Sequence, residues 1–346
     1  MDQSMLSSQP RDAEVQEAPS PFLPGTKVQV AWDSTSIGLL KTCPRLYWYV
    51  MIEGYGEGDE SIHLRFGIEY HKALEEYDFY RVAGADHEEA VKKTVVDLHA
   101  RTFDWVVDET TRAGKYKNKA SLMRSVIWYL DHYRTDVAKT VILDNGRPAV
   151  ELSFKFELPW GPEVGKDYSL LTNEDGSPKT NRVGSQPYLL CGHLDRVVDY
   201  DGTLFVMDRK TTQTTLSDYY YAQFDMSNQM SLYTFAGKVV LNSPIKGVCI
   251  DAAQLLIDET KFGRSFTYRT PDQTDEWLEN LSIWFSMAEN FAAANYWPMN
   301  DTACDKFGGC KFRGMCSKSP QVRDRFLKSS FKQLPENERW NPLKPR

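Results

Sequence analysis

The chain has 346 residues, 41% of them apolar and 26% charged, with a net charge of −7. That length supports a substantial buried core, and the acidic balance argues against a surface that coats nucleic acid broadly while leaving room for a narrow groove, because acids that hold a metal stop repelling an anion once the metal is bound. No apolar run approaches the ~20 residues needed to cross a bilayer, and Met1 to Ser20 carries four acids and no apolar h-region, so a cytoplasmic protein is expected, its six cysteines serving as thiols or metal ligands rather than disulfides.

Residues 1–30 read as a flexible leader. Asp33 or Ser34 can cap a short helix through Ile37, Leu40 and Lys41, which runs into Cys43-Pro44-Arg45. A Gly-rich loop from Gly54 to Asp59 precedes a helix over roughly Phe66 to Arg81 that carries His71. Two amphipathic helices follow, one through Val91, Val95, Leu98, Thr102 and Trp105, the other through Leu122, Val126, Tyr129, Tyr133 and Val137. Together they read as a helical insertion over about 85–140. Pro148 to Pro159 alternates as a strand with Val150, Leu152, Phe154 and Phe156 on one face and Glu151, Ser153 and Lys155 on the other. Residues 161–187 are polar and read as an insertion loop.

The stretch from Gly192 to Thr211 reads as two strands around Asp201-Gly202, a dipeptide suited to positive φ at both central positions of a two-residue turn. That loop length makes Tyr200 face Thr203 and, counting back, sets Asp195 opposite Asp208 with Lys210 on the face of Asp208. A helix is expected from about Tyr219 to Val240, strands over Ile245 to Ile257 and near Ser265 to Arg269, and a helix opened by Thr270-Pro271-Asp272-Gln273, a capping-box sequence. A cysteine-containing loop and a basic tail, residues 318–346, complete the chain. This order suggests an α/β core with a central mixed sheet and a helical extension.

Asp195, Asp208 and Lys210 could form a cross-strand salt bridge at the surface. The flanking Val197, Val198, Leu204, Phe205 and Val206 instead suggest a strand pair buried on both faces. Hard carboxylate oxygens there suit Mg²⁺ or Mn²⁺, which activate water and neutralise charge on a phosphodiester. His71 could complete such a site as a neutral imidazole or serve as an ordinary helix residue. Glu151 lies on the polar face of its strand, and Gln229 and Tyr233 share a helix face at i, i+4. Cys304, Cys310 and Cys316 are each separated by five residues in a Gly-rich loop, and with the remote Cys43 they make a plausible four-thiolate site for an iron–sulfur cluster or zinc. Cys191 and Cys249 sit among strand apolars and read as core residues. Lys115, Lys117, Lys119 and Arg124, and the tail with Lys318, Arg323, Arg325, Lys328 and Lys332, could track a phosphate backbone or be simply solvated.

In chain order these pieces are Ser36-x6-Cys43-Pro44-Arg45, Gly67-x3-His71, Glu151, Gly192-x2-Asp195, Asp208-x-Lys210, Gln229-x3-Tyr233 and the cysteine trio. The set resembles the RecB-type branch of the PD-(D/E)XK nuclease superfamily, and within it the iron–sulfur members such as the AddB nuclease domain and the CRISPR-associated RecB-like exonucleases. The resemblance implies a restriction-endonuclease-like α/β core over residues 31–317, with a helical and Cys-cluster lobe whose metal staple is built from 33–50 and 298–317. It implies His71, Asp195, Asp208 and the Arg209 carbonyl as metal ligands, with Glu151 as an upstream acid at the metal. Lys210 would be the catalytic lysine, Gln229 and Tyr233 the supporting helix motif, and Cys43, Cys304, Cys310 and Cys316 the ligands of a [4Fe-4S] cluster. The final C-x5-C step matches the group's usual spacing, whereas Cys304 stands six positions before Cys310 where C-x2-C is usual. The expected activity is metal-dependent exonuclease cleavage of DNA, single-stranded or with free ends. The alternatives are a DNA-end-binding or complex-assembly module with a nuclease-like fold, including a CRISPR-adaptation-like role, and a site-specific endonuclease.

Overall fold

The computed structural model describes residues 18–56, 61–163, 172–176, 178, 180–181, 186–305 and 309–344. The first 17 residues of the expected leader, positions 57–60 of the Gly-rich loop, much of the 161–187 segment and Gly308 lie outside them. In chain order the principal elements are β1 (Ala31–Trp32), α1 (Ser34–Thr42), α2 (Ile62–Val82), α3 (His87–Arg101), α4 (Lys119–His132), β2 (Ala138–Thr140), β3 (Val150–Glu157), β4 (Leu189–Tyr200), β5 (Thr203–Thr212), α5 (Asn228–Leu241), β6 (Gly247–Leu255), β7 (Thr260–Tyr268), α6 (Pro271–Ala293) and α7 (Pro320–Ser330).

Local chemistry sets several boundaries. The Asp33 carboxylate accepts the Ser36 amide at 2.8 Å and the Ser36 hydroxyl accepts the Asp33 amide at 3.0 Å, closing a capping box on α1. Thr270 and Gln273 do the same for α6, as their sequence predicts. The helix expected over Tyr219 to Val240 is instead two: Asp218–Ala222, then α5. Asp225, Ser227 and Asn228 favour turns and caps over helix interior, and the Arg269 guanidinium braces the break, donating to Phe224 O at 3.1 Å and Ser227 O at 3.4 Å.

Seven strands form one mixed sheet in the order β1-β4-β5-β6-β7, with β2 and β3 pairing along the opposite edge of β4. The β1–β4 and β5–β6 pairs are parallel and the others antiparallel. The Asp201-Gly202 turn has φ of 53° and 79°, and Tyr200 pairs with Thr203 as the turn length requires. The β4–β5 ladder runs from there to Arg196–Met207 and ends, and β1 takes over the same edge of β4 at Leu189 and Leu190. The two long strands therefore fork just where Asp195 and Asp208 stand.

Helices cover both faces. Leu194, Val197, Val206, Val248 and Ile250 pack with Leu232 and Ala236 of α5, Leu281 and Phe285 of α6 and Ile37 and Leu40 of α1 in one core. Ala253 and Leu255 pack with Phe66, Leu74, Leu98, Leu122 and Val126 of α2, α3 and α4 in the other. The helices of the expected insertion are thus a layer of the core, and β2 from the same stretch joins the sheet. Two terminal expectations change. Residues 18–30, assigned to a flexible leader, carry Leu23, Val28 and Val30 into the main core. Part of the basic tail is folded: Leu327 of α7 packs with Tyr49, Tyr55, Phe312 and Met315, and Lys332–Gln333 pairs with Tyr55–Gly56.

Candidate active site

At the fork the Arg209 amide lies beyond the β4–β5 backbone ladder and donates to the Asp195 side chain, Oδ2, at 3.0 Å instead. The same oxygen lies 3.2 Å from His71 Nδ1 of α2. The pairs Val150–Arg196 and Leu152–Leu194 place Glu151 opposite Asp195 on the other side of β4. Glu151 has φ of 48° within a strand, a strained value for a residue with a Cβ and of a kind enriched at active sites. Among the described residues, His71, Glu151 and Asp195 form the one group of three potential metal ligands whose ligand atoms all lie within 4.8 Å of one another. Burial lowers the His71 imidazole despite the opposing pull of Asp195, so near neutral pH the ring is in the neutral form that ligates metal. One imidazole nitrogen and two carboxylates suit a divalent ion that accepts oxygen and nitrogen donors.

Asp208, also expected as a ligand, falls outside that 4.8 Å group but lies close enough to Asp195 to feel its charge, and is paired with a lysine. Lys210 Nζ lies 2.9 Å and 2.8 Å from its two oxygens. Burial pushes the Asp208 carboxyl up to about 6, Lys210 opposing and Asp195 reinforcing the shift. Lys210 also donates to Gln229 Oε1 at 3.1 Å, and Gln229 Nε2 donates to Tyr233 Oη at 3.1 Å. The helix pair at i, i+4 is therefore one continuous hydrogen-bonded chain with the lysine: Tyr233 orients the amide so that its oxygen faces the ammonium.

Sequence reading missed the support behind this face. Asp78, seven positions after His71 on α2, is 5% exposed, lies 3.0 Å from Arg209 Nη2 and 3.5 Å from Arg196 Nη2, and accepts from Thr140 Oγ1 at 3.1 Å. Its i, i+7 spacing from His71, which places both on one helix stripe, was the available signal. A second buried network joins Asp251 of β6 to Tyr129 Oη and to Arg264, which makes two 2.7 Å bonds to Asp136.

The cysteines divide as their settings suggest. Cys191 and Cys249 are buried in the sheet. Cys43 is brought to the C-terminal loop, its Sγ accepting the Asn300 amide at 3.3 Å, and the Cys310 amide donates to Cys304 O at 2.8 Å. Burial raises the Cys304 and Cys316 thiols, and both are raised further by Cys310 and Cys43. No three of these sulfurs meet the mutual 4.8 Å spacing seen at His71, Glu151 and Asp195.

Residues 34–317 match the PD-(D/E)XK nuclease superfamily. The chain belongs to that superfamily, and membership implies a nucleic-acid substrate. Among solved structures, a crystal structure from Eubacterium rectale described as a "putative exonuclease" aligns with 87% of this chain and 92% of its own, at 9% identity and a TM-score of 0.44. No curated protein matches the chain. Among the described residues no helix is long and apolar enough to cross a membrane.

Proposed function

We propose that the protein is a RecB-type, metal-dependent DNA exonuclease acting on single strands or strand ends. The observation that carries this reading is the convergence of His71, Glu151 and Asp195 within 4.8 Å at the fork beside the Asp208–Lys210 pair. A bound Mg²⁺ or Mn²⁺ would supply an activated water and neutralise charge developing on the phosphodiester. His71, Glu151 and Asp195 would hold it, with Asp208 and the Arg209 carbonyl completing the set. The chain's own residues do the rest. The Arg209 amide fixes the rotamer of Asp195. Gln229, steadied by Tyr233, holds the Lys210 ammonium at the site, where it places a positive charge beside a substrate phosphate and orients the attacking water.

The four thiols of Cys43, Cys304, Cys310 and Cys316 belong to the same proposal as ligands of a [4Fe-4S] cluster, with zinc the alternative. A tetrahedral zinc with Zn–S bonds of ~2.3 Å would draw its sulfurs to roughly 3.8 Å of one another, closer than any three of these thiols stand. Brown protein absorbing near ~400 nm is expected of a cluster held by four cysteines, and colourless protein containing zinc selects the other ion.

The test of the nuclease reading is cleavage of labelled linear DNA with Mg²⁺ or Mn²⁺ by the wild type and by Asp208→Ala and Lys210→Ala. Loss of cleavage in both variants, with closed circular DNA left intact by the wild type, is the expected result. Full activity in Lys210→Ala refutes the assigned mechanism, and cutting of circles refutes the exonuclease mode. Mn²⁺ is also expected to raise the melting temperature of the wild type, and to do so less in His71→Ala.

A further inference from the structure

Lys117 is an ammonium buried without a counter-charge. It is 5% exposed, and no carboxylate among the described residues is within salt-bridge distance of it. Among the described residues its one hydrogen-bond contact is a long one, 3.5 Å to Thr211 Oγ1, and the ammonium stands over the Phe66 ring at 5.3 Å. An ammonium carries three donors, so most of its capacity is unused. Burial alone lowers the amine to about 8, with no neighbouring acid opposing the shift. A second base is within electrostatic reach: Lys117, after burial, helps to lower His63, which stands exposed in the first turn of α2. At the end of the same strand, Gln213 Nε2 is a further buried donor without an acceptor.

Buried charges are ordinarily paired, because an unpaired one costs several kcal/mol of desolvation. A buried ammonium beside a hydroxyl, with a second base close enough to feel its charge and no carboxylate within salt-bridge distance among the described residues, suits an anion that arrives from outside. The location says which anion. Thr211 follows Lys210 directly on β5, and the two side chains leave opposite faces of the strand. A chain of phosphates crossing the carboxyl end of β5 would meet Lys210 on one side of it and the Lys117–Thr211 pair on the other, the place where open α/β sheets bind ligands.

We infer that Lys117, Thr211 and Gln213, with His63 at the rim, form a second phosphate-binding site for the nucleotide flanking the one that is cleaved. The inference rests on the nuclease reading above, and adds a contact that grips substrate without taking part in bond cleavage. Lys117 is therefore a binding residue, and its loss should appear in affinity and KM while kcat is largely kept.

The experiment uses the full chain, wild type and Lys117→Met, with a labelled single-stranded oligonucleotide. Binding is measured in EDTA, so that no turnover occurs, between roughly 50 and 300 mM KCl, a range of about six-fold over which counterion release shows as a slope. Removing one phosphate contact should weaken binding about ten-fold at low salt and reduce the slope of log K against log salt by about 0.7. Cleavage with Mn²⁺ should show KM raised by a similar factor. The melting temperature should be equal or higher, because Met removes an unpaired buried charge. Lys117→Gln, which keeps length and polarity, should show the same loss of slope if Met disturbs folding. An unchanged salt slope and KM in a folded variant overturns the inference, as does a wild type that fails to bind the oligonucleotide. A wild type that binds with the predicted slope but never cleaves would refute the nuclease reading and leave the phosphate site standing.

Discussion

Removing the carboxylate of Asp78 should unfold this protein well below the wild-type denaturant midpoint while leaving every residue of the proposed catalytic set in place. Asp78 is the shared anion of two guanidiniums that are themselves nearly buried: its contacts are 3.0 Å to Arg209 and 3.5 Å to Arg196, whose side chains are 4% and 9% exposed. Asp78→Ala strands both cations and leaves the Thr140 hydroxyl without its acceptor. Breaking a buried pair by deleting one partner costs about 3–5 kcal/mol, a large share of the roughly 5–15 kcal/mol that holds a typical domain together. With a urea dependence of about 3 kcal/mol per molar, the midpoint should fall by roughly 1 to 1.7 M at an unchanged slope. Replacing the whole network, Asp78→Leu with Arg196→Met and Arg209→Met, should recover most of that loss because no charge is then left unpaired. Urea unfolding followed by tryptophan fluorescence and circular dichroism measures both variants. A midpoint for Asp78→Ala within 0.3 M of wild type (about 1 kcal/mol at that slope) would show that water or another group satisfies the two arginines and that the network does not brace the fork.

Two further outcomes test the packing and the second buried network. Gly237 of α5 faces β5 so closely that a Cβ would lie 2.7 Å from Val206 Cγ2 and 3.2 Å from Ile245 Cγ1. Alanine should gain about 1 kcal/mol of helix propensity but lose roughly 1–3 kcal/mol to overpacking, so Gly237→Ala is expected to lower the melting temperature; a rise would mean that α5 shifts freely. For Asp136, burial alone would raise the carboxyl, but the paired bonds from Arg264 outweigh it and the net shift is downward. A depressed carboxyl contributes stability that is fully present above its unfolded value of about 3.9 and is lost as pH falls through the lower folded value. Asp136→Asn should therefore cost roughly 1.5–3 kcal/mol near neutral pH, and its gap to the wild type should narrow below about pH 4. A gap that stays constant from pH 7 to pH 3 would contradict the pairing.

Much of this molecule is legible in its sequence because the signals are local. The Asp201-Gly202 turn, the Asp33 cap and the Thr270–Gln273 capping box each rest on a few adjacent residues whose conformational preferences agree with the final fold. The alternation of Val150, Leu152, Phe154 and Phe156 marks the β3 face without reference to its partners. What sequence could not supply is long-range. The fork between β4 and β5 depends on β1 arriving from 158 residues earlier to pair with Leu189, and only that wedge frees the Arg209 amide for Asp195. Asp78 looked like any acid on a charged helix, because its partners Arg196 and Arg209 are more than a hundred residues away. The break at Gln223–Ser227 escaped notice for a similar reason: it is braced by Arg269, from beyond β7.

The two-residue turn also governs where this chain can tolerate a change in length. Adding one residue between the turn and Asp195, or between the turn and Lys210, reverses every side chain beyond it, so an acid or the lysine would be delivered to the wrong side of the sheet. Two added residues restore the side but slide the strand by a full repeat, separating Asp195 from the Arg209 amide that holds it. The polar stretch between β3 and β4 is under no such parity constraint, since its length is spent before Leu189 enters the sheet. Insertions and deletions should therefore accumulate in that stretch and be absent from the span between Asp195 and Lys210, whose spacing is as much a part of the proposed catalytic centre as its side chains.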